Sequence, residues 1–237
     1  MPSTSERTFG QRYTKARDLV EYLKLVPTYA PSNPDLAVAA FDAFVGTVDT
    51  ANNAVASQTS ALQTARDARL VLFKGPEGLI KRCAQIRDYI SSIETKGKKS
   101  VEYKKVQKVV MRMRGIKLSK KKISTGAGVT EPKTISTSEV SFGSMLNAGK
   151  EVLQVINGLA AYAPSNTNIT SANFAAFVTQ LDNKNSEIAS KLSDWDNAIE
   201  TRADLYATLK DRVSKIKSAL AGQYGRQSNE YKDSLKY

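Results

Sequence analysis

The chain has 237 residues, is 41% apolar, carries a formal net charge of +12 and contains one Cys and no His. Imidazole acid–base catalysis, His or multi-Cys metal sites and an internal disulfide are excluded by that composition. The length suffices for one or two ordinary cores, and no stretch approaches the roughly 20 apolar residues of a membrane-spanning helix.

Residues 1–8 are polar. From Phe9 onward Tyr13, Ala16, Leu19, Val20, Leu23 and Val26 recur every three or four positions, which predicts an amphipathic helix. Pro27 and Pro31 disfavour helical backbone in the residues before them, so YAPSN at 29–33 is a turn at which the chain reverses. Asn33 is placed to cap a second helix, with Pro34 at its first position and Asp35 in its first turn. That helix is expected over 35–73, about 58 Å at 1.5 Å per residue. Phe41, Phe44, Val48, Val55, Leu62, Ala65, Arg69 and Leu72 lie along one stripe of it. Asn52 beside the stripe reads as a register-setting polar residue. Arg69 on the stripe must reach solvent or find a partner, and a structural ion pair is the expected outcome.

Lys74-Gly75-Pro76-Glu77-Gly78 should break or kink the helix, with Pro76 opening a third helix that carries Leu79, Ile80, Cys83, Ile86, Ile90 and Ile93. Cys83, at core spacing, is expected to be inert packing. After Gly97 a short helix restarts with Ser100 as cap and Glu102 in its first turn. Over 101–114 it sets Val106, Val109, Val110 and Met113 opposite Lys104, Lys105, Lys108 and Arg112. Residues 115–141, rich in Lys, Ser, Thr and Gly, read as a flexible linker.

The second half repeats the plan. At an offset of 133, Phe9 aligns with Phe142, Tyr29 with Tyr162, Leu36 with Ile169, Phe41 with Phe174, Phe44 with Phe177, Arg69 with Arg202 and Phe73 with Tyr206. The offset then becomes 130, matching Arg82 with Arg212, Ile86 with Ile216 and Ile90 with Leu220. At 128 the pattern G(x2)S(x)EYK recurs at 97–104 and 225–232. The expectation is an all-α, tandem-duplicated antiparallel helical bundle with long helices and pseudo-twofold symmetry, parsed as repeat 1 over 1–108, a basic extension and linker over 109–140, and repeat 2 over 141–237. One point stays open. The second copy, from Trp195 through Leu220, keeps helical spacing where the first has Gly and Pro, so either both copies form a helical hairpin there or the second is one helix of some fifty residues. Trp195 and the stripe Phe residues are expected in the core.

On YAPSN, the Asn52-Asn53-Ala54-Val55 run, AR(x2)R at 65–69 and G(x2)S(x)EYK, the chain resembles a group of uncharacterised, internally duplicated bacterial helical proteins. The resemblance covers nearly both halves. It implies the repeat architecture and supplies no activity, cofactor or site residue.

The charge is concentrated. Residues 96–122 hold 12 of the 35 basic side chains and one of the 23 acids, leaving 23 basic and 22 acidic residues elsewhere. The candidate polyanion-binding residues are Lys98, Lys99, Lys104, Lys105, Lys108, Arg112, Arg114, Lys117, Lys120, Lys121 and Lys122. Such a cluster suits phosphate contacts without base reading, docking on an anionic membrane through the Val/Met face, or nothing beyond a solvated linker. No P-loop, G-x-G-x-x-G or G-x-S-x-G stands in the chain, and without His there is no Glu-x-x-His pattern for a carboxylate-bridged metal pair. The expected function is therefore a non-enzymatic scaffold or protein-interaction module, self-associating or holding a protein partner, with nucleic-acid or anionic-surface binding through 96–122 as the alternative. No cofactor, metal or small-molecule substrate is expected, and membrane binding ranks below nucleic acid. A lone Cys and the polar opening MPSTSERTFGQR fit a cytoplasmic location.

Overall fold

The computed structural model describes residues 4–95, 97–116 and 140–237, and every regular element among them is helical. The helices are α1 (Thr4–Lys24), α2 (Val38–Lys74), α3 (Leu79–Ile93), α4 (Val101–Met113), α5 (Phe142–Asn157), α6 (Ser171–Tyr224) and α7 (Asn229–Ser234).

The YAPSN turns have a definite construction. Asn33 caps a short 3-10 turn over Pro34–Leu36, its side chain accepting the Asp35 N–H at 3.0 Å, and α2 starts only after the extended residue Ala37. The expected start at Asp35 is corrected accordingly. The Tyr29 hydroxyl donates to the Leu36 carbonyl at 3.2 Å, tying the turn to the residue that enters the core. Burial pushes this phenol up to about 12. Asn166 and Tyr162 make the same bonds, to the Asn168 N–H at 3.0 Å and the Ile169 carbonyl at 2.7 Å.

The open point at the helix break is decided differently in the two stretches. α6 runs unbroken for 54 residues, whereas α2 ends at Lys74 and α3 begins at Leu79, capped by Gly78 rather than opened by Pro76. A Cβ on Gly75 would lie 2.5 Å from the Val71 carbonyl oxygen, and one on Gly78 2.8 Å from that of Leu72. Only glycine fits where the chain closes so tightly on the last turn of α2. The aligned offset shrinks by three residues here, and Phe73 and Leu79 sit six apart where Tyr206 and Leu209 sit three apart. The loop thus absorbs three residues that would otherwise rotate the apolar stripe of α3, at about 100° per residue, away from that of α2. Deleting Gly75, Pro76 and Glu77 is expected to fuse α2 and α3 with the melting temperature nearly unchanged. Deleting only Pro76 and Glu77 should lower it by roughly 5–10 °C. Equal loss in the two deletions, read by circular dichroism, would refute the register argument.

The chain forms two compact units, one of Met1–Leu62 with Lys191–Tyr237 and one of Gln63–Ser190. The expected division at 108 and 141 follows the sequence repeat, whereas these units follow packing, and each draws on both halves of the chain.

In the first unit the three-four stripe of α1, Ala16, Leu19, Val20 and Leu23, packs with Phe41, Val45 and Val48 of α2 and with Tyr206, Leu209, Ile216 and Leu220 of α6. The Asn52 side-chain amide donates to the Tyr206 hydroxyl at 3.0 Å, so this polar residue beside the stripe has a fixed partner. In the second unit Phe73 joins Leu79, Cys83, Ile86 and Ile90 of α3, Met145, Ala148, Val152 and Ile156 of α5, and Phe174, Phe177 and Leu181 of α6. Gly149 lets α5 approach α3, since a Cβ there would lie 3.1 Å from Leu79.

α4 packs on α3 and α5 and belongs to this second core. Val106, Val109, Val110 and Met113 are at most 4% exposed, each burial stabilising by about 1.5–3 kcal/mol before the cost of ordering the chain. A boundary at 108 would therefore cut through a packed helix.

Three side chains depart from expectation. Trp195 is half-buried, its indole N–H donating to the Thr59 hydroxyl at 2.9 Å, rather than enclosed in the core. Phe44 is also half-buried. Arg69 makes no ion pair among the described residues. Its guanidinium lies 4.1 Å from the centroid of the Phe142 ring and donates to the Asn185 amide oxygen at 3.4 Å. The delocalised cation is covered by a π face and an amide dipole, an arrangement a planar, weakly hydrated guanidinium tolerates.

Candidate functional site

The local sequence builds α4 as a sharply bounded helix. Gly97, at φ +49°, turns the chain after α3, and the Ser100 hydroxyl caps α4 by accepting the Tyr103 N–H at 3.2 Å. Glu102 in the first turn complements the helix dipole. At the other end Gly115, at φ +70°, lets the Ile116 N–H bond back to the Met111 carbonyl and its own N–H to that of Arg112. This paired closure is the Schellman arrangement, which needs a left-handed residue and so glycine.

On this helix Lys105, Lys108 and Arg112 follow one another at three and four residues, so they form one row, with Lys104 beside it. The three lysines are exposed and have no carboxylate within ion-pair distance among the described residues. Arg112 is half-buried and bonds Glu151 of α5 at 2.6 Å. The buried Val/Met face holds the opposite side against the core, so the charges sit on a fixed support. Between α4 and α5 runs a groove of about 400 Å³, edged by Lys105, Lys108, Arg112 and Glu151 and floored by Val106, Val109, Val152 and Val155.

The remaining candidates are more scattered. Lys98 and Lys99 lie exposed on the 3-10 turn before α4, and Arg114 is exposed at its C-cap. Lys117, Lys120, Lys121 and Lys122 lie outside the described residues. The Val/Met face on which the membrane alternative drew is turned inward, with Val106, Val110 and Met113 0–2% exposed and committed to the core. Sequence reasoning missed Glu151, which stands 39 residues from Arg112 and carries no local signal of the pairing.

Cys83 is fully enclosed, and burial pushes its thiol far above the ordinary range, so it is a poor nucleophile. Among the described residues no group of three or more Cys, Asp or Glu side chains is placed to hold a metal ion, and no helix is long and apolar enough to cross a membrane. No family model matches the chain, and no curated protein or solved structure matches it.

Proposed function

We propose that the chain is a tandem duplication acting as a non-enzymatic helical interaction module, in which the copies exchange halves so that each compact unit takes the first half of one copy and the second half of the other. Matched contacts support the duplication. Arg69 lies over Phe142 and Arg202 over Phe9, at 4.1 and 4.7 Å, and these are aligned residues. Arg82 lies over Phe177 and Arg212 over Phe44, at 3.9 and 4.2 Å, while their guanidinium groups donate to the aligned carbonyls of Asn168 and Asp35. Such pairing also accords with the pseudo-twofold expectation and with kinship to the duplicated bacterial group. A cytoplasmic setting, in keeping with the single Cys, belongs to the same proposal.

The observation that carries the interaction reading is the face of α4, three exposed lysines and a paired arginine beside a valine-floored groove, on a helix anchored by its opposite side. The same lysines favour a second reading, binding of a polyanion without regard to sequence. The discriminating experiment measures affinity for duplex DNA and single-stranded RNA against salt. Polyanion binding predicts a log–log slope near −0.9 per engaged phosphate on DNA, and changing Lys104, Lys105 and Lys108 to Gln should remove about 2.7 of it while helical content stays intact. Arg112 is spared because its loss would leave Glu151 unpartnered. If neither nucleic acid binds at low salt, the polyanion reading falls and the protein-partner reading stands.

A further inference from the structure

The charge on the α4 face is unanswered within its own unit, and another helix of the chain carries its complement. Lys104, Lys105 and Lys108 are exposed with no carboxylate within ion-pair distance among the described residues, and beside them opens the valine-floored groove between α4 and α5. Glu151 on the α5 edge does not repel an incoming anion strongly, because Arg112 neutralises it at 2.6 Å.

α6 shows the converse over residues 192–209. Asp196, Glu200 and Asp204 recur at four-residue steps, so they form one row about 12 Å long at 1.5 Å per residue. All three are exposed, and none has a cation within ion-pair distance among the described residues. The stretch contains one basic residue, Arg202, which is 6% exposed and so adds little positive charge to the outer face. One step before Asp196 on the same row stands Leu192, a large apolar side chain left 39% exposed. Like charges four residues apart destabilise a helix, so the acid row and the Lys104/Lys108 pair each carry a cost that opposite charge would relieve.

We propose that the groove between α4 and α5 of one copy of the chain takes the outer face of α6 of a second copy. Lys104, Lys105 and Lys108 pair with the row Asp196, Glu200 and Asp204, and Leu192 enters the valine floor. The inference rests on the interaction-module reading and names the partner. Charge complementarity selects a second copy, since Lys104 and Lys108 keep the same four-residue step as the acids and the apolar anchor stands on the same row. The contact joins two different patches, so it is heterologous.

The test is sedimentation velocity of the full chain, treated with nuclease, at about 50 mM and about 500 mM salt, on either side of the concentration at which exposed charges are largely screened. The wild-type chain should self-associate at low salt and at least roughly tenfold more weakly at high salt. The variants Lys104→Glu/Lys105→Glu/Lys108→Glu and Asp196→Lys/Glu200→Lys/Asp204→Lys should each lose at least roughly tenfold at low salt. A chain carrying both sets of changes should associate again, and the two singly reversed chains, when mixed, should bind each other. Leu192→Ser should weaken association at both salt concentrations, which keeps the test decisive if circular dichroism shows a reversed variant unfolded. A monomeric wild-type chain at low salt, association untouched by either reversal, or no recovery in the doubly reversed chain overturns the proposal. Association abolished by the nuclease alone overturns it as well and assigns the lysines to nucleic acid. The nucleic-acid titrations that test the interaction-module reading do not involve Asp196, Glu200 or Asp204, so failure of that reading registers separately.

Discussion

Expressed separately, fragments 1–108 and 134–237 should fail to fold as stable monomers. The first retains α1 and the start of α2 but loses Tyr206, Leu209, Ile216 and Leu220, all at most 2% exposed in that core. At about 1.5–3 kcal/mol for each buried side chain, the loss rivals the 5–15 kcal/mol of net stability available to a whole domain. The same fragment carries Phe73, Leu79, Ile86 and Ile90, which align with those four residues and are fully buried in the second core. Two copies of fragment 1–108 can therefore supply each other, and self-association by exchange is the expected behaviour. Mixing the two fragments should yield a 1:1 complex with the helical content of the intact chain. Light scattering with circular dichroism reads both outcomes. Two stable, monomeric halves would contradict the exchanged architecture.

The second large effect is a core truncation whose consequences appear far along the chain. Phe41 is 0% exposed in the first core, and Phe41→Ala should cost about 3–5 kcal/mol from the lost transfer energy and the cavity left behind. Hydrogen exchange should then accelerate in α1 and over 205–220, the segments that share the Phe41 core, while α3, α4 and α5 keep their protection. The informative feature is its pattern along the sequence. Segments nearly two hundred residues apart open together, and α3, which lies much nearer Phe41 along the chain, does not. Acceleration confined to 1–108 with α3 and α4 included would mean that residues 1–108 are a folding unit of their own.

The basic candidate site was partly legible. Ser100 as a cap, Glu102 in the first turn and the opposition of Val/Met to Lys/Arg on α4 follow from spacings of three and four residues and from capping chemistry, which act within one turn. The burial of that apolar face against α3 and α5 was not legible. An amphipathic stripe says that something covers it without saying what, and the membrane alternative arose from that gap.

By itself the sequence determined the helical class, the two YAPSN turns and the helix stop before Gly75. Each rests on local rules: a 3.6-residue period, proline geometry or a side-chain cap. Only the tertiary structure decided that α6 passes unbroken through the point where α2 yields to α3, and that Arg69 lies over a ring where an acid was expected. Tertiary packing also decided which halves share a core. Residues 9–90 and 142–220 carry similar apolar stripes, so pairing within one stretch and pairing between the two look alike to any local rule. An unbroken helix cannot fold back on itself, so the stripe at the end of α6 cannot cover the stripe at its start, and each is covered from elsewhere in the chain.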